Sequence, residues 1–324
     1  MSNKYVYQNA QIKSRESKLL TLQGLQRLFD AQNVKDALKV LVELGLGNGV
    51  NAEEEGADAV FDKEEENLVA FLNEMNVDGA LDAFYAENDF LNLKTALKAW
   101  ATGTKGTYLP NGLCKVEDME VALQTDDSGA LEKEMREAIE IAKTLVADEK
   151  GVDPRKIDCA VDKKMFEFAL RASKKCSKTA REYFARKIDF ANVGSFVRCK
   201  RLHLSPDFFK EGFIDGGKLA LESFEKIFDE PMDSLSEMTK GTFAEKTVAN
   251  LVESQDLVAY EKECDDALLK IWKDEAADMF SPSPIVAFYL TRKTELKNVK
   301  LIIAGIKNKV PEKTIKQRMR ELYA

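Results

Sequence analysis

The chain has 324 residues, 44% of them hydrophobic and 32% charged, a balance that supplies enough apolar side chain to bury a sizeable core and excludes a disordered polymer. Acids outnumber Lys and Arg by 56 to 48, so the molecule as a whole has no net attraction for nucleic acid. The five cysteines, Cys114, Cys159, Cys176, Cys199 and Cys264, stand singly with no C-x-x-C pair; this argues against a disulfide framework or a zinc site and for reduced thiols in a cytoplasmic protein.

In chain order, the opening "MSNKYVYQNAQIKSRESKLL" lacks the apolar core of a signal peptide. No run of about 18 apolar residues follows anywhere; even "LKVLVELGLGNGV" is interrupted by Glu43, so no membrane span is expected. Residues 51–89 then hold thirteen acids against one lysine, a segment that repels anionic surfaces. At its end comes "DFLNLK", residues 89–94, an acid with an asparagine three places on. The pattern returns as "DFANVG" from Asp189 and "ELKNVK" from Glu295, roughly 100 residues apart each time, which is the signature of an internal repeat.

On a helix, residues three apart share a face, so Asp89 and Asn92, Asp189 and Asn192, and Glu295 and Asn298 each set a carboxylate beside an amide. Their apolar neighbours, Phe90 and Leu93, Phe190 and Val193, Leu296 and Val299, place that face near a helix–helix contact. The expected role is structural: the pair bonds a neighbouring turn or helix end and fixes packing register. One carboxylate and one amide with no histidine nearby make a weak acid–base set, so no catalytic residue is assigned.

A second element follows each motif. "YLPNGLCKVEDM" and "FIDGGKLALESF" align Gly112 with Gly217, Val116 with Leu221, Glu117 with Glu222 and Met119 with Phe224. A glycine turn with φ > 0 and a helix with an acid in its first turn would explain both. The third copy shortens this to "VPEKTI", with Pro311 and Glu312 in similar parts. Between copies, "GALEKEMREAIEIAKTLVADEKG" carries Leu131, Met135, Ala138, Ala142 and Leu145 at helical steps. Gly151 is expected to stop that run, and Asp153–Pro154 to cap the next helix; "SPSP" at 281–284 reads the same way. No period-two alternation appears, so the fold class is all-α. Hinges are expected near residues 126–130 and 233–241.

Motif-borne chemistry is absent. The single histidine, His203, lies among basic residues in "RCKRLHLSPDF" and reads as a surface or capping residue. "GFIDGGKL" fits G-x-x-x-x-G-K but ends in Leu219 where a phosphate loop needs Ser or Thr, and no strand precedes it. No cofactor or metal is expected. The tail is basic: residues 291–324 hold ten Lys or Arg against three Glu. Ile315, Met319 and Leu322 are expected on one helix face there, with Lys307, Lys309 and Lys316 as candidate partner-facing cations; the basic tail and the acidic 51–89 segment would serve different partner surfaces.

Residues 284–323, "PIVAFYLTRKTELKNVKLIIAGIKNKVPEKTIKQRMRELY", together with "YVYQNAQIKSRESKLL" and "YFARKIDFANVGSFVRCKRL", resemble the C-subunit family of V-type (A/V-type) ATPases, whose eukaryotic relative is called the d subunit. The resemblance spans nearly the whole chain. It departs at Gln11, Lys13 and Lys300, where the family often has arginine, and at "SPSP" in place of a glycine–proline turn. It implies three similar helical domains, here residues 1–126, 127–235 and 236–324, around a pseudo-threefold axis in a funnel. It also implies a non-catalytic, peripheral protein on the cytoplasmic face of the membrane, joining the central-stalk (axle) subunits to the membrane rotor ring, with no nucleic-acid partner. The competing reading is a helical-repeat scaffold of another cytoplasmic complex, built as an open solenoid.

Overall fold

The computed structural model describes residues 4–77, 79–109, 112–125, 127–146 and 153–322. Those residues form sixteen α-helices and no strand. They pack as two compact units, one of Met1–Asp78 with Asp256–Ala324 and one of Gly79–Gln255.

The discontinuous unit contains α1 (Val6–Glu16), α2 (Leu22–Phe29), α3 (Val34–Glu43), α4 (Ala52–Glu74), α14 (Leu257–Glu275), α15 (Ser283–Lys307) and α16 (Glu312–Arg318). Side chains start several of these where the sequence offers an acceptor: Thr21 takes the Gly24 N–H, Asn33 that of Asp36, and Asp256 those of Val258 and Ala259. The long α15 begins at "SPSP", where Ser281 Oγ accepts the Ser283 N–H at 3.2 Å and Pro284 occupies the first turn. Asn9 of α1 holds this turn from the other side, donating through Nδ2 to the carbonyls of Met279 and Ser281 at 2.8 and 2.9 Å. The core lies along α15, whose Leu296, Val299, Ile302 and Ile303 meet Leu25, Leu28, Leu38, Leu41 and Ile315. Gly305 lets α16 close on α15: a Cβ there would stand 2.2 Å from Ile315 Cδ1.

The continuous unit contains α5 (Asp82–Thr102), α6 (Val116–Gln124), α7 (Lys133–Val146), α8 (Pro154–Cys176), α9 (Lys178–Arg201), α10 (Pro206–Gly212), α11 (Leu221–Lys226), α12 (Asp233–Thr239) and α13 (Glu245–Ser254). Asp153 caps α8 on the Arg155 N–H with Pro154 following, and Ser177 caps α9 on that of Ala180, while Gly103 ends α5 in the left-handed region. Helix α8 packs on α5, α7 and α9. Phe196 of α9 anchors an aromatic cluster, its ring centroid 5.4 Å from those of Phe209 and Phe224 and 5.5 Å from that of Phe228.

Two local expectations change. Helix α16 ends at Arg318 with Met319 already extended, so Met319 and Leu322 do not continue the stripe begun by Ile315; a side chain of α15 captures the backbone there instead. Leu131 is buried but precedes α7. Most of the segment 233–241 is α12, whose Thr239 is fully buried. Gly151, expected to stop α7, lies outside the described residues.

Because Phe196 is 1% exposed and contacts three rings, Phe196→Ala should lower unfolding free energy by about 3–5 kcal/mol in urea titration.

Candidate functional site

The three acid–asparagine pairs lie on α5, α9 and α15 and are buried in all three copies. Helix propensity does not explain Asp and Asn in helix interiors, since both favour caps and turns; a long-range backbone partner does. Asn92 grips Leu109 with both ends of its amide, Nδ2 donating to the Leu109 carbonyl at 3.0 Å and Oδ1 accepting its N–H at 2.8 Å. Asn192 grips Ile214 the same way at 2.8 and 2.9 Å. Asn298 grips Arg320 at 2.9 Å both ways. A carboxamide has one donor face and one acceptor face, so it completes one residue of the returning strand of chain as a β-ladder would.

The carboxylates take adjacent N–H groups. Asp89 accepts from Leu113 at 3.0 Å and Cys114 at 3.1 Å; Asp189 Oδ1 accepts from Lys218 at 2.8 Å and Leu219 at 2.9 Å. The aligned glycines precede these donors, but not for the reason expected. Neither Gly112 nor Gly217 has a positive φ; only Gly216 does, at 100°. The requirement is close approach: a Cβ on Gly112 would lie 1.9 Å from Asp89 Oδ1, and one on Gly217 2.2 Å from Asp189 Oδ1. The helices after the turns also correspond. Lys115, Ala220 and Pro311 are N-caps with ψ of 142°, 149° and 136°, and four residues later Met119, Phe224 and Ile315 are buried.

The third acid departs from the pattern. Glu295 Oε1 reaches back to the Leu20 N–H at 2.7 Å, and its Oε2 accepts from Arg292 at 2.6 Å. Arg292 also donates to Glu64 at 2.9 Å, and Glu64 accepts the Gly47 N–H at 2.8 Å. Next to it, Glu65 pairs with Lys293 at 3.3 Å and Lys300 at 3.1 Å. Two of the thirteen acids of residues 51–89, Glu64 and Glu65, and three of the ten cations of the basic tail, Arg292, Lys293 and Lys300, thus pair with each other inside one unit. No motif links residues 228 apart, so this network was missed in the sequence; the one signal was the opposite charge bias of the two segments.

Of the candidate partner-facing cations, Lys307, the last residue of α15, and Lys309, in the turn after it with a φ of 54°, are both exposed. Lys316 pairs with Glu312 of its own helix at 2.5 Å and donates to Gln26 of α2 at 3.1 Å. His203 is exposed in the turn after α9 with a φ of 53°. Among the described residues, no group of three or more His, Cys, Asp and Glu is placed to hold a metal ion, and no helix is long and apolar enough to cross a membrane.

Comparison with known proteins supplies the frame. A family model described as ATP synthase (C/AC39) subunit matches residues 8–318. The chain belongs to that family. Among curated relatives it is 24% identical to the C subunit of the V-type sodium ATPase of Enterococcus hirae over 239 residues, 72% of each chain. It is 23% identical to the C subunit of the A-type ATP synthase of Haloquadratum walsbyi over 96% of each. It is also 23% identical to that of Pyrococcus furiosus over 98% of this chain and 90% of the other. The ATP synthase (C/AC39) family match takes in all three acid–asparagine pairs but stops before Arg320, the backbone partner of the last asparagine.

Two measurements probe the clamps. Asn192→Ala strands the buried Ile214 N–H and carbonyl, and should cost about 2–5 kcal/mol in chemical denaturation. Burial lifts the Glu295 carboxyl to about 7 against the pull of Arg292, and that of Asp89 to about 6. A folded-state pKa above the unfolded one means that the native protein binds more protons in between. The stability Glu295 contributes is therefore fullest below about 4.5 and declines as pH rises towards 7. The melting-temperature deficit of Glu295→Gln relative to the parent should shrink across that window.

Proposed function

We propose that the chain is a non-catalytic central-stalk subunit of a rotary V-type ATPase or ATP synthase. It joins the rotating axle to the membrane rotor ring from the cytoplasmic face, without spanning the membrane itself. The observation that carries this reading is the family match over residues 8–318. It is supported by the relatives, one the C subunit of a sodium ATPase and two the C subunits of ATP synthases.

The three clamps support a matching architecture: modules of residues 1–126, 127–235 and 236–324 around a pseudo-threefold axis, closed as a funnel. Three like modules in head-to-tail contact can close a ring. A subunit that transmits torque needs to resist shear, and side chains locked to backbone across 17 to 22 residues do this better than apolar contact alone, which is not directional. In this reading Lys307, Lys309 and Lys316 face a partner. Lys307 and Lys309, exposed at the end of α15 and in the turn after it, are free to meet acidic side chains, whereas Lys316 would have to exchange Glu312 for the partner.

Purification of the tagged chain from its own membranes, mildly solubilised, should recover rotary-ATPase stalk and ring subunits in fixed proportion by mass spectrometry; recovery of a soluble complex without them would favour the scaffold reading. Charge reversal at Lys307 and Lys309 should weaken that recovery, with a loss relative to the parent that is largest at low salt and shrinks at higher salt as the charges are screened. Unchanged recovery at low and high salt would remove these residues from the interface.

A further inference from the structure

The cations of α8 divide into two sets. Arg155 and Lys156 meet Glu211, Lys164 meets Glu137 and Glu167, Arg171 meets Glu132 and Glu134, and Lys175 meets Asp82. The other two, Lys163 and Lys174, have no carboxylate partner among the described residues, and both line one groove of about 530 Å³. Arg181, in the first turns of α9, lines it too and is likewise without a carboxylate partner there. Eleven residues is close to three helical turns, so Lys163 and Lys174 share a face about 16 Å apart along the axis, with Glu167 and Leu170 between them on the same stripe. The opposite wall is Asp215 and Gly216, at the turn that Asn192 and Asp189 hold through Ile214 and Lys218.

A surface that pairs most of its cations but leaves three uncommitted around a single concavity is short of an anion. We propose that this groove binds a small anion carrying several phosphates, of the nucleoside-triphosphate type. Separate anchor points suit more than one phosphate. Arg181 can take phosphate oxygens in pairs while the lysines act as point charges. Leu170 offers an apolar patch for a ring, and Asp215 an acceptor for hydroxyls. The volume falls in the range of small-ligand sites, about 300–1,000 Å³. Glu167 and Asp215 oppose phosphate as much as a partner's carboxylates, so the anion is held at Lys163, Lys174 and Arg181, and an acidic peptide is the competing occupant. The site is a binding site only. It is not a phosphate loop, since the Lys218 and Leu219 N–H groups of "GFIDGGKL" are already spent on Asp189.

The test is calorimetric titration of the full chain with inorganic triphosphate, a nucleoside triphosphate and a polyglutamate peptide, beside flotation with vesicles containing an anionic phospholipid. Saturable binding of both phosphate anions is expected. Lys163→Gln, Lys174→Gln and Arg181→Gln together should weaken it at least tenfold, with unchanged helical circular dichroism. The charge-matched control Lys105→Gln, Lys226→Gln and Lys246→Gln, at exposed cations away from the groove lining, should bind like the parent. Tighter binding of the nucleotide than of inorganic triphosphate would support the role given to Leu170 and Asp215. Equal weakening by the control would show general charge attraction and overturn the proposal. So would capture by anionic vesicles without binding of either phosphate anion, or binding of the polyglutamate peptide alone.

Discussion

One buried carboxamide, used three times, is the constraint around which the chain is arranged. Asn92, Asn192 and Asn298 each offer a donor and an acceptor to a single backbone residue 17 to 22 positions on. That residue lies on a returning loop with no helix or sheet of its own to satisfy it. A buried N–H and carbonyl left open would each cost about 1–3 kcal/mol, so the loop follows the asparagine. The carboxylate three residues earlier fixes a second point on the same loop in the first two copies, and two points define a direction. In those two copies the helix after the turn, with its buried Met119 or Phe224, then has little choice of where to lie; in the third, α16 precedes the clamped Arg320 and packs on α15 through Ile315.

The charge distribution has a similar inward logic. A chain with eight more acids than bases, the two concentrated in different stretches, could have been two opposed surfaces. Part of that opposition is instead settled inside one unit, where Glu64 and Glu65 on α4 face Arg292, Lys293 and Lys300 on α15. The buried Glu64 and Glu295 and the half-buried Arg292 form a chain in which each charge is both paired and hydrogen-bonded. Buried charge is tolerated on those terms.

The helical class, the repeat and its six polar positions could all be read from residues alone, because spacing of three and a recurrence near 100 residues are visible in one dimension. The reason for the glycines was not. Sequence suggests a positive φ, whereas Gly112 and Gly217 are needed because a carboxylate sits where their Cβ would be, and that distance exists only after folding. The end of α16 was misjudged for a related cause. Ile315, Met319 and Leu322 keep a helical rhythm, but Asn298 claims the backbone of Arg320, and a tertiary bond outweighs a local preference of a few tenths of a kcal/mol per residue. Most hidden was the third acid, which reaches Leu20 across 275 positions.

That long reach bears on the order in which the molecule can be made. The unit of Gly79–Gln255 is one unbroken stretch, so all its partners are present once that stretch has left the ribosome. The other unit begins first and finishes last. Helices α1 to α4 emerge early, but their core is filled by α15 and Ile315, and Leu20 waits for Glu295. Until then Leu25, Leu28, Leu38 and Leu41 have no α15 to cover them. During synthesis the early helices are thus the vulnerable part of the chain, exposing apolar surface of the kind that chaperones bind, while the middle is already complete.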